Sequence, residues 1–296
     1  MMAAPEYYIF TGSRDVGRVP LHVTHVRIAK ALKFVPARAF WGHPNIEEVI
    51  CHDGVERVNE FAFYNSPFLR RVIMPGVKVL EQCAFNLCTS LTYIECGKLE
   101  VIGQSAFASC TSLDSSIDLP SIRIVQKSAF CDCKNLINAK FGKDLESIGD
   151  SVFYYCRSLE RITLPLKDDV MTSDRIFQYC ERLNHVDLVE GGVLNETTAA
   201  LQMEEWKNDM NGEIDAINQG LACAPTGNEV NDEGKARAIR AWITSLLRKI
   251  VHYKAEHRRY LNVASAALQP ALPNDIVLKN IFPFIELPSF TFEGEH

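Results

Sequence analysis

The 296-residue sequence contains no long apolar run and no strong excess of charge of one sign. Its N-terminal apolar stretch, Tyr7 to Phe10, is too short for a signal-peptide core, and no segment reaches the ~20 apolar residues of a membrane helix. The net charge of -6 is modest, so no global field favours nucleic acid or an anionic membrane. We therefore expect a cytoplasmic or nuclear protein rather than a secreted or surface protein.

Motifs of catalysis are also lacking. The sequence has no Gly-x-Gly-x-x-Gly, no Walker loop and no nucleophile elbow. Its eight histidines are scattered. His22 and His25 point to opposite faces of a predicted strand, and His252 and His257 lie about 140° apart around a predicted helix. We expect no enzymatic activity, no cofactor and no metal ion.

The sequence does contain a repeat of 22 to 24 residues. A phenylalanine marks each unit: Phe40, Phe63, Phe85, Phe107, Phe130, Phe153 and Phe177. An aliphatic residue follows six positions later: Ile46, Leu69, Leu91, Leu113, Leu136, Leu159 and Leu183. One unit of this length cannot bury its apolar face alone, so the units must stack as a solenoid.

Each unit has the same parts. Aliphatics at the ninth and eleventh positions after phenylalanine, such as Ile162 and Leu164, alternate as in a short strand. A turn with Pro or Gly follows, and then a second apolar pair, such as Leu99 and Ile102. The next phenylalanine fills the interior.

Two units are irregular. The stretch Leu113 to Leu119 has one extra residue, which predicts a bulge. Lys167 to Arg175 is polar, which predicts a surface loop. Its Asp168, Asp169 and Asp174 are either solvated or weak calcium ligands.

Seven cysteines occupy two repeat positions. The third position after phenylalanine holds Cys88, Cys110, Cys133, Cys156 and Cys180, whereas Cys51 and Cys96 share a position that elsewhere holds Met74 or Phe141. Buried, reduced thiols in the core are the favoured interpretation. The alternative is a disulfide or soft-metal site formed by sulfurs of adjacent turns.

The units resemble the BspA-like class of leucine-rich repeats, which read approximately I-x-x-x-A-F-x-x-C-x-x-L-x-x-I-x-I-P. Ile102 to Leu113 and Ile148 to Pro165 follow this pattern closely, and the resemblance covers about Val23 to Leu188. It implies a leucine-rich-repeat solenoid. For function it implies adhesion or protein binding, in a class found on bacterial surfaces and in unicellular eukaryotes.

We predict an α+β architecture in three parts. Residues 1–31 form an N-terminal cap with a degenerate repeat, in which Gly17 replaces the phenylalanine. Residues 32–190 form a solenoid of about seven repeats, with short parallel strands and an irregular convex side. Residues 195–296 are helical, with one helix from about Asn195, a second from Lys235 to Leu268, and a short third helix from about Asn274 to Phe282.

The first two helices carry opposite charge. Six acids and one lysine lie between Glu196 and Gln219, whereas eight basic residues and one acid lie between Lys235 and Tyr260. We expect an antiparallel hairpin that packs on the last repeat as a C-terminal cap. The alternative is that the basic helix, residues 235–259, binds nucleic acid or an anionic surface.

The strand-lined face is the expected working surface of such a solenoid. Its candidate partner-binding residues are Glu47, Glu48, Arg70, Arg71, Thr92, Tyr93, Glu95, Asp114, Asn138, Lys140, Glu160, Arg161, Asn184, His185 and Asp187. They mix both signs of charge with isolated Arg and Tyr, which suits a protein surface.

The favoured hypothesis is a monomeric, non-enzymatic scaffold that binds a protein partner. Cell-surface adhesion is an alternative. So is a ubiquitin-ligase adaptor, because Leu272 to Val277 and Ile281 to Ile285 resemble the opening of an F-box.

Overall fold

The computed structural model of the protein describes residues 6–12, 19–189, 212–213, 215–221 and 234–268. The described repeats wind into a solenoid in which each strand pairs in parallel with an equivalent strand of at least one neighbouring turn. Parallel pairing follows from the repeat itself, because each strand lies beside its own equivalent after one complete turn. The predicted solenoid class is confirmed.

One side of the solenoid carries two sheets, whose outer surface we call the strand-lined face. The first sheet has the order β1-β2-β4-β6-β8 and the second the order β10-β12-β14-β15. Their strands are β1 Tyr8–Phe10, β2 His25–Ile28, β4 Glu48–Ile50, β6 Arg71–Ile73, β8 Tyr93–Glu95, β10 Ser116–Leu119, β12 Asn138–Phe141, β14 Arg161–Pro165 and β15 His185–Val189.

A third sheet lies where the sequence indicated only a second apolar pair. Its six strands have two residues each and pair in the order β13-β11-β9-β7-β5-β3. They are β3 Phe34–Val35, β5 Arg57–Val58, β7 Val79–Leu80, β9 Val101–Ile102, β11 Ile124–Val125 and β13 Ser147–Ile148. The second residue of each strand is buried.

The repeat phenylalanines form one stack through the core. All seven are buried, and neighbouring rings lie nearly parallel with centroids 4.8 to 5.8 Å apart. The backbone around them forms a further ladder between turns. Ser105 and Ser109, on either side of Phe107, adopt left-handed φ angles of 54° and 58°, and their N–H groups donate to Lys127 O and Cys131 O of the next turn. Equivalent residues in the other turns repeat this conformation, except for Arg175 in the last turn.

The cysteine ladder is buried and has a hydrogen-bonding role that the sequence did not reveal. The Sγ of Cys110 donates to the carbonyl of Phe85 at 3.1 Å, and Cys88, Cys133, Cys156 and Cys180 make the same bond. Ser66 replaces cysteine in an earlier turn and donates to Phe40 O at 2.9 Å. Burial raises the pKa of Cys88 to about 12, so its thiol stays protonated as a donor. No disulfide joins any two of the described cysteines.

The prediction of a β-bulge at Leu113 to Leu119 is wrong. A bulge would leave the strands paired on both sides of it. Instead, β8 and β10 belong to different sheets. The Asp114 N–H donates to Thr92 O at 3.1 Å, but β8 and β10 themselves do not pair, which leaves a gap between them. The extra residue displaces β10 from its neighbour and splits the strand-lined face.

The segment Lys167 to Arg175 is only partly the surface loop that its polarity predicted. Val170 and Met171 are buried, and Met171 pairs with Ile148 as a continuation of the third sheet. The sequence pattern missed this because Met171 lies six residues before Phe177, one more than the regular spacing between Ile148 and Phe153. Asp174 is not a free loop carboxylate, because Arg237 and Arg240 contact it.

At the N-terminal end, the structure shows a strand within the predicted cap that the sequence pattern did not indicate. β1 pairs with β2, and the Phe10 ring packs on Phe40 with centroids 4.8 Å apart. Phe10 therefore closes the aromatic stack in the cap. Gly17, which the repeat alignment placed at that position, lies outside the described residues.

At the other end, a long helix (Gly234–Leu268) packs on the last turn. Its buried face contains Ile239, Ile243, Leu246 and Ile250, which join the core of the solenoid. Residues 212–213 and 215–221 are also helical, and Lys249 bonds to Glu213. The C-terminal cap is thus present. The start of the first predicted helix and the whole third helix lie outside the described residues.

Lys235 fixes the start of the long helix. Its side chain is buried, and Nζ donates to the carbonyls of Cys180 at 2.8 Å and Leu183 at 2.9 Å, with Glu181 O at 3.3 Å. Arg237, Arg240 and Thr244 continue the contact toward Asp174 and Asp168. Three basic residues at the start of the helix therefore contact the solenoid.

Removal of one ring from the stack should be costly. We expect Phe107→Ala to lower the free energy of unfolding by about 3–5 kcal/mol, because the rings on either side cannot close the cavity. Urea unfolding measures this loss. The control is Phe68→Ala at a side chain that is 52% exposed, where a change within about 0.5 kcal/mol is expected. Equal losses in the two variants would contradict the stack as the core.

Lys235→Met tests the helix cap. The new side chain keeps the volume but leaves the buried carbonyls of Cys180 and Leu183 without their charged donor, so we expect a loss of about 1.5–3 kcal/mol. Fluorescence of the buried Trp242 during urea titration reports on helix docking. Lys98→Met, at an exposed lysine, is the matched control. A Lys235→Met protein as stable as this control would show that the bonds contribute nothing.

Candidate protein-binding surface

The strand register brings the predicted partner-binding residues into rows. His25, Glu48, Arg71 and Tyr93 are successive partners across the first sheet. In the second sheet, Asn138, Arg161 and His185 form one row, and Lys140 and Asp187 lie in another, separated by Thr163. The remaining candidates are Glu95 on β8 and residues just before strands: Glu47, Arg70, Thr92, Asp114, Glu160 and Asn184. All fifteen are exposed or half-buried.

A chain of contacts crosses the first sheet, and we call it the Arg–Tyr ridge (Arg27, Tyr7, Glu48, Arg71 and Tyr93). The Arg27 guanidinium lies 4.3 Å from the centroid of the Tyr7 ring, and the Tyr7 hydroxyl donates to Glu48. Arg71 Nε is 3.3 Å from Glu48 Oε1, while its guanidinium lies 4.9 Å from the Tyr93 ring centroid. The ridge is a continuous band of aromatic and charged groups.

Tyr7 is the member of the ridge that sequence reasoning missed as a surface residue. It precedes β1, in an apolar run that suggested only a cap. The hydrogen bond to Glu48 raises the pKa of the Tyr7 hydroxyl, with desolvation adding to the shift. The hydroxyl therefore remains a donor and holds Glu48 beside Arg71.

On the second sheet, most charged side chains of the face form pairs with groups of opposite charge. Arg161 Nη1 contacts both carboxylate oxygens of Asp187 at 2.8 and 3.0 Å, and His185 Nε2 lies 3.1 Å from Asp187 Oδ1. Lys140 Nζ is 3.3 Å from Asp118 Oδ2. These exposed pairs leave little net charge for a polyanion to recognise, and each adds little to stability.

Among the residues that the structure describes, no group of three or more His, Cys, Asp or Glu side chains could hold a metal ion. Buried His43 has a structural contact, with Nε2 at 3.3 Å from Pro20 O, and burial lowers the pKa of its imidazole. No helix within the described ranges has the length and apolarity needed to cross a membrane.

Several solved structures resemble the chain. A leucine-rich repeat protein of T. pallidum has 24% identity and a TM-score of 0.48, with 60% of this chain and 83% of that chain covered. A leucine-rich repeat protein from Bacteroides ovatus has 19% identity and a TM-score of 0.35, covering 56% and 61%. The pneumococcal vaccine antigen PcpA has 15% identity and a TM-score of 0.34, covering 63% and 66%. At such low identities, these similarities say nothing about function.

No curated protein matches the chain. The model of the BspA type leucine rich repeat region does match, with six copies over residues 21–123 and 100–198, which together span more than half of the chain. The phenylalanine stack and the parallel strand pairing are consistent with this family match. The chain belongs to the BspA-type leucine-rich repeat family.

Proposed function

We propose that this protein is a non-enzymatic interaction module that binds a protein partner through its strand-lined face. The observation that carries the proposal is the Arg–Tyr ridge. Arg and Tyr are enriched at the centres of protein interfaces, where they supply most of the binding energy. Arg71 and Tyr93 already restrain each other in the free protein, so they lose less conformational freedom on binding.

The mixed charge of the face favours a protein over a polyanion. A nucleic acid or a sulfated polymer is bound by a continuous run of basic groups. Here Arg71 alternates with Glu48 and Tyr93, and Arg161 is paired with Asp187. The proposed footprint consists of the fifteen candidate residues together with Tyr7 and Arg27, and the Arg–Tyr ridge is its centre.

The basic helix is a weaker candidate for binding. Lys235 is buried against backbone carbonyls, Arg237 and Arg240 contact Asp174, and Lys249 contacts Glu213. These groups act within the molecule.

The family is compatible with protein interaction inside the cell and with adhesion at its surface. We propose the cytoplasm or nucleus, because the lack of disulfides among the described cysteines suits a reducing compartment. We also propose that the protein is monomeric. The F-box-like segment, Leu272 to Ile285, lies outside the described residues and stays a prediction.

The Arg71→Ala/Tyr93→Ala double variant tests the proposal. If the ridge is the centre of the interface, partner affinity should fall at least about thirtyfold, because truncation of a hot spot costs 2 kcal/mol or more. The full chain serves as bait in a lysate of its own source, and recovered proteins are quantified by mass spectrometry. Each candidate is then purified and titrated by calorimetry.

The matched control is Arg123→Ala/Tyr64→Ala. It removes the same residue types away from the strand-lined face, where Arg123 pairs with Glu146 and Tyr64 packs on Trp41. The control should keep the affinity of the unmodified chain. Partners that bind the ridge variant as well as they bind the unmodified chain would refute the Arg–Tyr ridge as the centre of the interface.

A further inference from the structure

The gap between β8 and β10 exposes residues that are core residues elsewhere. Ile94 and Ile117 occupy the inward position of their strands and are only partly buried. Their equivalents along the two sheets are fully enclosed: Val26, Val49, Val72, Ala139, Ile162 and Val186. Cys96 is also partly exposed, whereas Cys51 and Met74 at the same repeat position are buried. The core is therefore partly open to solvent between β8 and β10.

The opening leads into a cavity of about 130 Å³. Its floor is apolar and reaches the aromatic stack: Ile94, Cys96, Phe107, Leu113, Ile117 and Phe130. An engineered apolar cavity of about 150 Å³ accepts benzene in another protein. The space is thus adequate for one aliphatic or aromatic side chain.

Polar groups surround the mouth of the cavity. Successive residues of a strand direct their N–H and C=O groups to opposite sides. Tyr93 and Glu95 bond to the β6 side, through Tyr93 N to Arg70 O and Met74 N to Glu95 O, so the peptide groups of Ile94 face the gap. These groups can orient the backbone of a bound chain, as the few polar groups of an apolar pocket typically do.

The charge at the mouth is negative. Asp114 and Asp118 line the cavity, and Glu95 is exposed on the adjoining strand. Lys140 pairs with Asp118, but Glu95 and Asp114 form no ion pair with any residue in the described ranges. A basic side chain beside the inserted group would complement them.

We infer that the gap between β8 and β10 is an anchor pocket for one aliphatic or aromatic side chain of a protein partner, in a segment with neighbouring Lys or Arg. The inference rests on the proposed function, because the pocket opens on the strand-lined face. Tyr93 belongs both to its rim and to the Arg–Tyr ridge. The pocket would fix the register of the partner along the face.

Short peptides test the pocket directly. The full chain, with isotope-labelled isoleucine methyl groups, is titrated with acetyl-Lys-Leu-Lys-amide, acetyl-Lys-Ala-Lys-amide and acetyl-Glu-Leu-Glu-amide. The leucine peptide should shift the Ile94 and Ile117 methyl signals. It should bind at least about tenfold tighter than the alanine peptide, because each buried CH₂ group strengthens binding about fourfold. The acidic peptide should also bind more weakly. Unshifted Ile94 and Ile117 signals, or equal binding of the three peptides, would overturn the inference.

A pocket-filling variant gives a second measurement. Ile94→Phe places extra volume in the cavity and should weaken binding of the leucine peptide at least about tenfold. The Ile117 methyl signal reports this binding. Ile50→Phe makes the same change at a half-buried position of the intact sheet and should leave binding within about twofold. If the Ile94→Phe variant does not fold, the peptide titration of the unmodified chain alone tests the pocket. Equal effects of the two substitutions would argue against the pocket.

The two proposals fail separately. If the ridge variant loses its partner while the peptides leave the methyl signals unchanged, the strand-lined face remains the interface and the pocket is refuted. If the peptides bind at Ile94 and Ile117 but the ridge variant keeps its partner, the pocket stands and the ridge is not the centre of the interface.

Discussion

The distance between successive turns is the constraint on which this structure depends. Backbone hydrogen bonds set neighbouring parallel strands about 4.7–4.9 Å apart. The phenylalanine rings follow the backbone, and their centroids are 4.8 Å apart between Phe40 and Phe63 and 5.8 Å apart between Phe153 and Phe177. Aromatic pairs are favourable at such separations when the rings are offset. One spacing therefore satisfies the strands, the rings and the cysteine donors together.

The same spacing organises the surface. Because each turn lies directly above its predecessor, an outward residue contacts its equivalent in the next turn. Glu48, Arg71 and Tyr93 are far apart in sequence yet adjacent in register. The scaffold holds them in position before any partner arrives, which lowers the entropy lost on association. A binding face can thus arise from residues that have no local relationship in the sequence.

The core was predictable from the sequence because each core position recurs in every repeat. The irregular features each occur only once, so no repeated pattern indicates them. Seven phenylalanines at nearly equal spacing specify the stack, and the strand rows followed from them. Met171 and the gap at Leu113 arise from shifts of one residue, and a shift of this kind changes hydrogen-bond partners without changing composition. Tyr7 was missed as a surface residue because its partner Glu48 is 41 residues away. The thiol donors were missed because cysteine was interpreted only as a small apolar residue.

The ends of the solenoid explain the charge of the long helix. A terminal strand presents unpaired backbone groups that invite association with other chains. At the last strand, the side chain of Asn218 accepts the Val186 N–H at 2.8 Å, and Lys235 binds carbonyls of the segment that immediately precedes this strand. A cation is suited to this position because a cluster of carbonyl oxygens attracts positive charge and an ammonium group offers three donors. The basic residues in the first turns of the helix therefore bind the end of the stacked strands. These contacts within the protein explain a charge pattern that could otherwise indicate an anionic partner.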